Sequence, residues 1–246
     1  MGGILANLSR EFRAYFFSPL AYVVAALLLL INGVVFWLIV SFLNDPRSQV
    51  GAPLELFFGG TIYFWLILLF IAPVLTMRLV SEERRSGTIE VLMTAPVTEG
   101  QVVVGKYLAS VLFYMFLWLP TVMYPLLLAY YSEVDWGPVV AGYLGVVGIG
   151  GLFLSIGLFA SSLSRSQLVA AVLTFAMLIP LFTFGLLENL FSDEILLRML
   201  SYLNLWQHMD EFSKGIVDTR RLVYYISASV LFLFFSARAL EARKWR

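Results

Sequence analysis

Met77-Arg78-Leu79-Val80-Ser81-Glu82-Glu83-Arg84-Arg85-Ser86-Gly87-Thr88-Ile89-Glu90-Val91-Leu92-Met93-Thr94-Ala95-Pro96-Val97 is the densest run of charge in a chain that is otherwise mostly hydrocarbon. An apolar run, 62–76, ends just before it, and another begins at Val102. Charge clamped between two such runs marks a water-exposed loop joining two membrane spans. Inside the loop, Thr88 to Met93 predicts a short helix, apolar on one side, which Pro96 ends. That helix would present Ile89, Leu92 and Met93 to a soluble partner, ringed by acids and arginines.

Composition agrees with the runs. Of 246 residues, 61% are apolar and 13% charged, where a soluble domain carries about a quarter charged residues. With no cysteine there is no disulfide framework and no thiolate metal site. Sixteen bases balance sixteen acids, so nothing draws the chain to nucleic acid.

Ahead of the first span, Ile4, Leu5, Leu8, Phe12, Tyr15 and Phe16 recur at three- and four-residue spacing, with Asn7, Arg10, Glu11 and Arg13 between them. This predicts an amphipathic helix within 1–18, lying in the membrane interface. Ser18-Pro19 starts the first span, 20–43, with an N-cap and a proline where the missing N–H costs nothing. The second span is placed at 57–77, with a kink at Pro73, and Thr98 with Gln101 has capping-box spacing for the third, 102–131, broken by Pro120 and Pro125. The fourth, 137–163, sets Gly142, Gly145, Gly148 and Gly151 three apart, a pattern that lets helix backbones approach. The fifth is 167–187 and the last about 222–237. Between them lies a long connection, 188–221, too apolar to float in water, which predicts one or two re-entrant or interfacial helices interrupted at 204–209. The fold class is therefore an all-α integral membrane protein, with all of 1–246 in one transmembrane domain.

Six spans put both termini on one side. Eleven bases fall on that side and five on the other, which makes the termini and the 78–101 loop cytoplasmic and the 188–221 loop extracytoplasmic.

Several chemistries lack residues. Gly100 to Tyr107 nearly matches a phosphate-binding G-x-x-x-x-G-K-[ST] loop, but Tyr107 stands where a small hydroxyl must reach Mg²⁺ and no strand precedes it. Lys106 is expected to snorkel to the cytoplasmic surface. His208, the only histidine, reads as structural or solvated, and no catalytic or metal site is expected. The spans hold no charge away from their ends, whereas ion-coupled carriers usually keep one there. If energy does not enter through an ion site, it enters through the 78–101 loop. The residues themselves leave open a stand-alone secondary carrier or channel, and a scaffold that transports nothing.

The segment Glu82-Glu83-Arg84-Arg85-Ser86-Gly87-Thr88-Ile89-Glu90-Val91-Leu92, followed by Ala95-Pro96-Val97, resembles the E-E-R-x-x-G-T-x-E-x-L-x-x-x-P segment of ABC-2 type transporter permeases. Within them the chain is most similar to the gliding-motility-associated (GldF-like) branch, whose final loop His208, Phe212, Gly215 and Asp218 also resemble. The resemblance implies a non-enzymatic half-transporter in a bacterial-type inner membrane. It would pair with a second copy or a paralogue and sit on two copies of an ABC ATPase holding the ATP and Mg. A membrane-anchored auxiliary subunit with an extracytoplasmic domain often accompanies that branch. It further implies that Gly87 to Leu92, with Thr88, Ile89 and Glu90, form the ATPase-coupling helix, Met93 lying next to it. Glu82, Glu83, Arg84 and Arg85 end span two and pair with the ATPase, and Trp206 belongs with the extracytoplasmic loop residues. Transport would be export, or a mechanical change across the membrane.

Overall fold

The computed structural model describes residues 2–44, 52–87, 98–187 and 201–242, and every regular element among them is helical. Six stretches are long and apolar enough to cross a membrane: Pro19–Leu43, Ile62–Arg85, Glu99–Tyr131, Trp136–Leu163, Gln167–Gly185 and Thr219–Glu241. The protein is an all-α membrane protein.

Helix α1 (Gly2–Phe16) precedes the spans. The residues it turns inward are Ile4, Asn7, Leu8, Glu11, Phe12, Tyr15 and Phe16, while Leu5 is exposed. The inward stripe thus includes Asn7 and Glu11, which simple periodicity assigns to the polar side. The reason is its partner. α1 packs along α5 (Glu99–Trp118), whose start offers polar groups: Asn7 Nδ2 donates to the Val102 carbonyl at 3.0 Å.

The first span, α2 (Pro19–Leu43), follows Ser18 with proline at its first turn, but the Ser18 hydroxyl makes no cap hydrogen bond. The second span begins later than the predicted 57. Residues 53–60 form a turn of helix, Pro53–Glu55, and a wider turn, Leu56–Gly60, broken at Phe58 and Gly59. Gly59 has φ +89°, which a Cβ disfavours, and a Cβ there would stand 2.7 Å from Met209 Cγ. The membrane helix proper is α3 (Ile62–Thr76), followed by the short α4 (Ser81–Arg85). The third span is α5, a tight turn at Leu119–Val122 around Pro120, and α6 (Met123–Tyr131). Thr98 and Gln101 form the reciprocal capping box that starts it, each bond 3.3 Å.

α7 (Trp136–Leu163) is the central helix, buried almost all round from Ile149 to Ser162. α3, α8 (Gln167–Leu187) and α10 (Thr219–Glu241) pack against it. α2, α8 and α10 leave rows of Leu, Val and Phe exposed at the perimeter. Lipid tails are as apolar as these side chains, so that exposure carries no penalty in a bilayer.

The glycines of α7 act differently from a backbone-contact motif. Each receives a side chain. A Cβ at Gly142 would stand 2.6 Å from Phe58, at Gly145 2.9 Å from Met209 and Phe212, at Gly148 2.6 Å from Tyr225, and at Gly151 3.1 Å from Tyr107. Spacing of three on a helix of 3.6 residues per turn walks round the axis, so the four face different neighbours.

On the side opposite the termini, α9 (Leu205–Ser213) folds back onto α7 and the 53–60 turn. Residues 201–203 are helical and the helix is interrupted at Asn204 alone, which starts the next one, its Oδ1 accepting from Trp206 N (3.0 Å) and Gln207 N (3.3 Å). Leu205, His208, Met209 and Phe212, spaced for one helix face, are all buried.

Candidate coupling site

The charged loop begins where α3 is made to stop. Pro73 contributes no N–H, and Thr76 Oγ1 donates back to the Ala72 carbonyl at 2.7 Å, a bond that bends helices. Leu79 N then closes a shorter turn on the Thr76 carbonyl at 3.1 Å. The break would strand backbone groups inside the protein, and one hydroxyl of α7 satisfies three of them. Ser161 Oγ accepts from Val80 N (3.1 Å) and Ser81 N (3.2 Å) and donates to the Met77 carbonyl (3.1 Å). A hydroxyl has one proton and two lone pairs, so Ser161 is saturated. One turn earlier Gly157 lets α3 approach; a Cβ there would stand 2.1 Å from Thr76 Oγ1. From the other side Tyr15 of α1 donates to the Leu75 carbonyl at 2.8 Å and stacks on Phe113 of α5, centroids 4.6 Å apart.

The charges beyond the break are tied down the same way. Lys106 of α5 is 1% exposed, and its Nζ lies 2.9 Å from Glu11 Oε1 of α1 and 2.8 Å from Glu83 Oε1 of α4. Arg10 Nη2 reaches the same two oxygens, at 2.7 and 3.0 Å. Two acids and two bases from three helices close a neutral cluster. Burial alone would raise the Glu11 carboxyl, but Lys106 and Arg10 hold it below its ordinary range. The expectation that Lys106 snorkels to the surface is therefore wrong: the lysine stays inside because two carboxylates meet it there, which no local pattern reveals.

A family model described as "ABC-2 family transporter protein" matches residues 9–240. The chain belongs to the ABC-2 transporter family. A search of curated proteins finds no match. The match makes this ABC-2 chain a transmembrane permease subunit, of a kind not generally catalytic itself and generally partnered by an ABC ATPase.

In the ABC-2 chain, the sequence-predicted coupling residues divide. Glu83 turns inward to Lys106, while Glu82 and Arg85 are exposed and Arg84 is half-buried. Ser86 caps α4, and Gly87 turns the chain away at φ +73° with open space where its Cβ would be. Thr88, Ile89, Glu90, Leu92 and Met93 lie outside the described residues, between Gly87 and the Thr98 cap. Tyr15, Lys106, Gly157 and Ser161 were not singled out for this site from sequence. The only signal for the last two is their spacing, a glycine and a serine four apart on a span.

The predicted residues of the opposite loop form a second, separate cluster. Arg221 pairs with Glu211 through two bonds (3.0 and 3.2 Å), and its Nη1 lies 2.9 Å from His208 Nε2. A guanidinium only donates, so Nε2 accepts; the ring proton is then on Nδ1 and donates to Tyr225 Oη at 2.9 Å. Trp206 stacks on Trp65 (4.7 Å between centroids) and donates to the Phe182 carbonyl at 3.1 Å. Phe212 is buried, Gly215 closes α9 against Pro138, and Asp218 caps α10 through Arg220 N at 2.8 Å.

Proposed function

We propose that this chain is the membrane half of an ATP-driven exporter or force-transmitting machine, worked by a separate ABC ATPase bound at the 78–101 loop. The observation that supports this most is the bracing of α4. The short helix that opens the loop is tied to α1 and α5 through Lys106 and to α7 through Ser161. A push on it is passed to several helices at once, whereas a solvated anchor loop needs no such ties. In this reading ATP and Mg are held by two ATPase copies, and the chain pairs with a second copy or a paralogue. The excess of bases on the terminal side favours cytoplasmic termini in a bacterial-type inner membrane. The motif from Glu82 to Pro96, with His208, Phe212, Gly215 and Asp218, favours the GldF-like branch, with an auxiliary subunit carrying an extracytoplasmic domain.

The test is co-purification from native membranes in mild detergent. An ATPase subunit should come down with the wild type. It should be lost, or its hydrolysis uncoupled, with Leu92→Asp or with charge reversal at Glu82 or Glu90, while insertion is intact. Full ATPase binding and stimulation in all three variants would overturn the coupling assignment. Isolation of an active chain alone, driven by an ion gradient, would make it a secondary carrier.

A further inference from the structure

A furrow of about 430 Å³ runs between α2 and α3, walled on one side by residues such as Val24, Leu28 and Ile31 and on the other by Leu66, Phe70 and Val74. At the end nearer the chain termini, Val24 and Val74 pass into a narrow neck that also carries Leu20 and Arg78. Beyond the neck, Arg78 and Ser18 line a polar cleft of about 390 Å³. From Ile31 to Leu20 the α2 wall is about 16 Å long, the depth of one leaflet of a hydrocarbon core about 30 Å thick. An apolar trough one leaflet deep thus ends at an arginine.

Arg78 is placed to bind an anion. Its Nη1 donates to Ser18 Oγ at 2.7 Å and its guanidinium lies 5.4 Å from the Tyr15 ring centroid. Among the described residues no carboxylate stands within 4.0 Å of it. Glu11 and Glu83 line the same cleft but are engaged by Lys106 and Arg10; Glu82, exposed to solvent, is the remaining carboxylate. The N-terminus of α2, with no acid in its first turn, opens at the same level and adds its positive dipole end.

We propose that this furrow holds one anionic glycerophospholipid of the leaflet on the terminal side, an acyl chain between α2 and α3 and its phosphate on Arg78. A planar guanidinium matches a phosphate in two-pronged geometry, and the trough selects a tail rather than a free ion. Bound there, the lipid joins α1, α2 and α3 at the point where α3 breaks. The proposal does not depend on the ATPase reading.

The experiment is native mass spectrometry of the full chain in mild detergent, titrated with phosphatidylglycerol and with phosphatidylcholine of the same acyl chains. The wild type should retain one phosphatidylglycerol per chain with about tenfold preference, the equivalent of one charge-assisted hydrogen bond. Arg78→Gln should remove the preference. Leu27→Trp, a furrow residue more than half exposed and so of little consequence for folding, should lower retention of both lipids. Equal retention of the two lipids by the wild type, or undiminished preference in Arg78→Gln, would overturn the proposal. So would displacement of the lipid by inorganic phosphate alone, or a dimer whose formation expels it, which would give the furrow to a second copy.

Discussion

Lys106 shows how a single residue can be at odds with its surroundings in sequence and at ease with them in space. Its neighbours in the chain are apolar, yet its charge is met by Glu11 and Glu83. Removing one partner from such a cluster leaves buried charge uncompensated. Lys106→Met should therefore cost about 3 kcal/mol, read as a lower midpoint of unfolding in detergent and denaturant. Adding Glu83→Gln to that variant should restore much of the loss, since Arg10 and Glu11 then remain as a neutral pair. Acid should act in the same direction: the lowered Glu11 carboxyl contributes fully above its ordinary pKa near 4.5 and loses that contribution as the pH falls through its folded value. His208 has its own window. Burial, and next the charge of Arg221, lower its pKa from 6.5 to about 4, with Ser201 and Tyr202 carbonyls and Asp218 opposing. Below pH 6.5 the unfolded chain binds the proton that the folded chain refuses, so stability declines to a deficit on the order of 3 kcal/mol near pH 4. Unfolding midpoints between pH 7 and 4 should fall less steeply in His208→Gln than in the wild type.

At the scale of the element, the break after α3 is the feature on which the terminal side is built. Sequence marks its approach through Pro73 but not its support. Ser161 sits in an apolar span with nothing to distinguish it from Ser155 or Ser162, and its role appears only when α3 lies across it. Ser161→Ala should strand the Val80 and Ser81 N–H groups, at about 1–3 kcal/mol for each left without a partner or water, while the Met77 carbonyl keeps the Ser81 hydroxyl. Hydrogen exchange at Val80 and Ser81 should quicken while amides in the middle of α7 keep their protection. Gly157→Val should disturb the same segment by steric pressure on Thr76, so its exchange pattern should match; protection at Val80 and Ser81 unchanged in both variants would remove α7 from the bracing.

For the whole molecule, the six spans and the bias of bases predict which surfaces share a compartment. The chain contains no cysteine, so single cysteines can report this directly. Gly87→Cys should be shielded from a membrane-impermeant maleimide in intact cells and react after permeabilisation. Ile216→Cys, half exposed beside α9, should react in intact cells. The reverse pattern would invert the topology without altering the fold.

The six spans, the break at Pro120, the capping box at Thr98 and a helix folded back before the last span were legible in sequence, because each depends on local composition, periodicity or the chemistry of one turn. So was the family, because its motif is a contiguous stretch. Pro125, expected to break the third span, lies within the first turn of α6, where its missing N–H is tolerated. The tertiary structure alone decided that α1 turns Asn7 and Glu11 inward, that Lys106 is buried, that the α7 glycines receive aromatic and methionine side chains, and that Ser161 holds the break in α3. These rest on pairings between residues distant in sequence, up to 95 positions apart. A buried charge or an orphaned carbonyl is satisfied by whatever packing brings within three ångströms, and helix packing, unlike helix formation, is not written in the neighbouring residues.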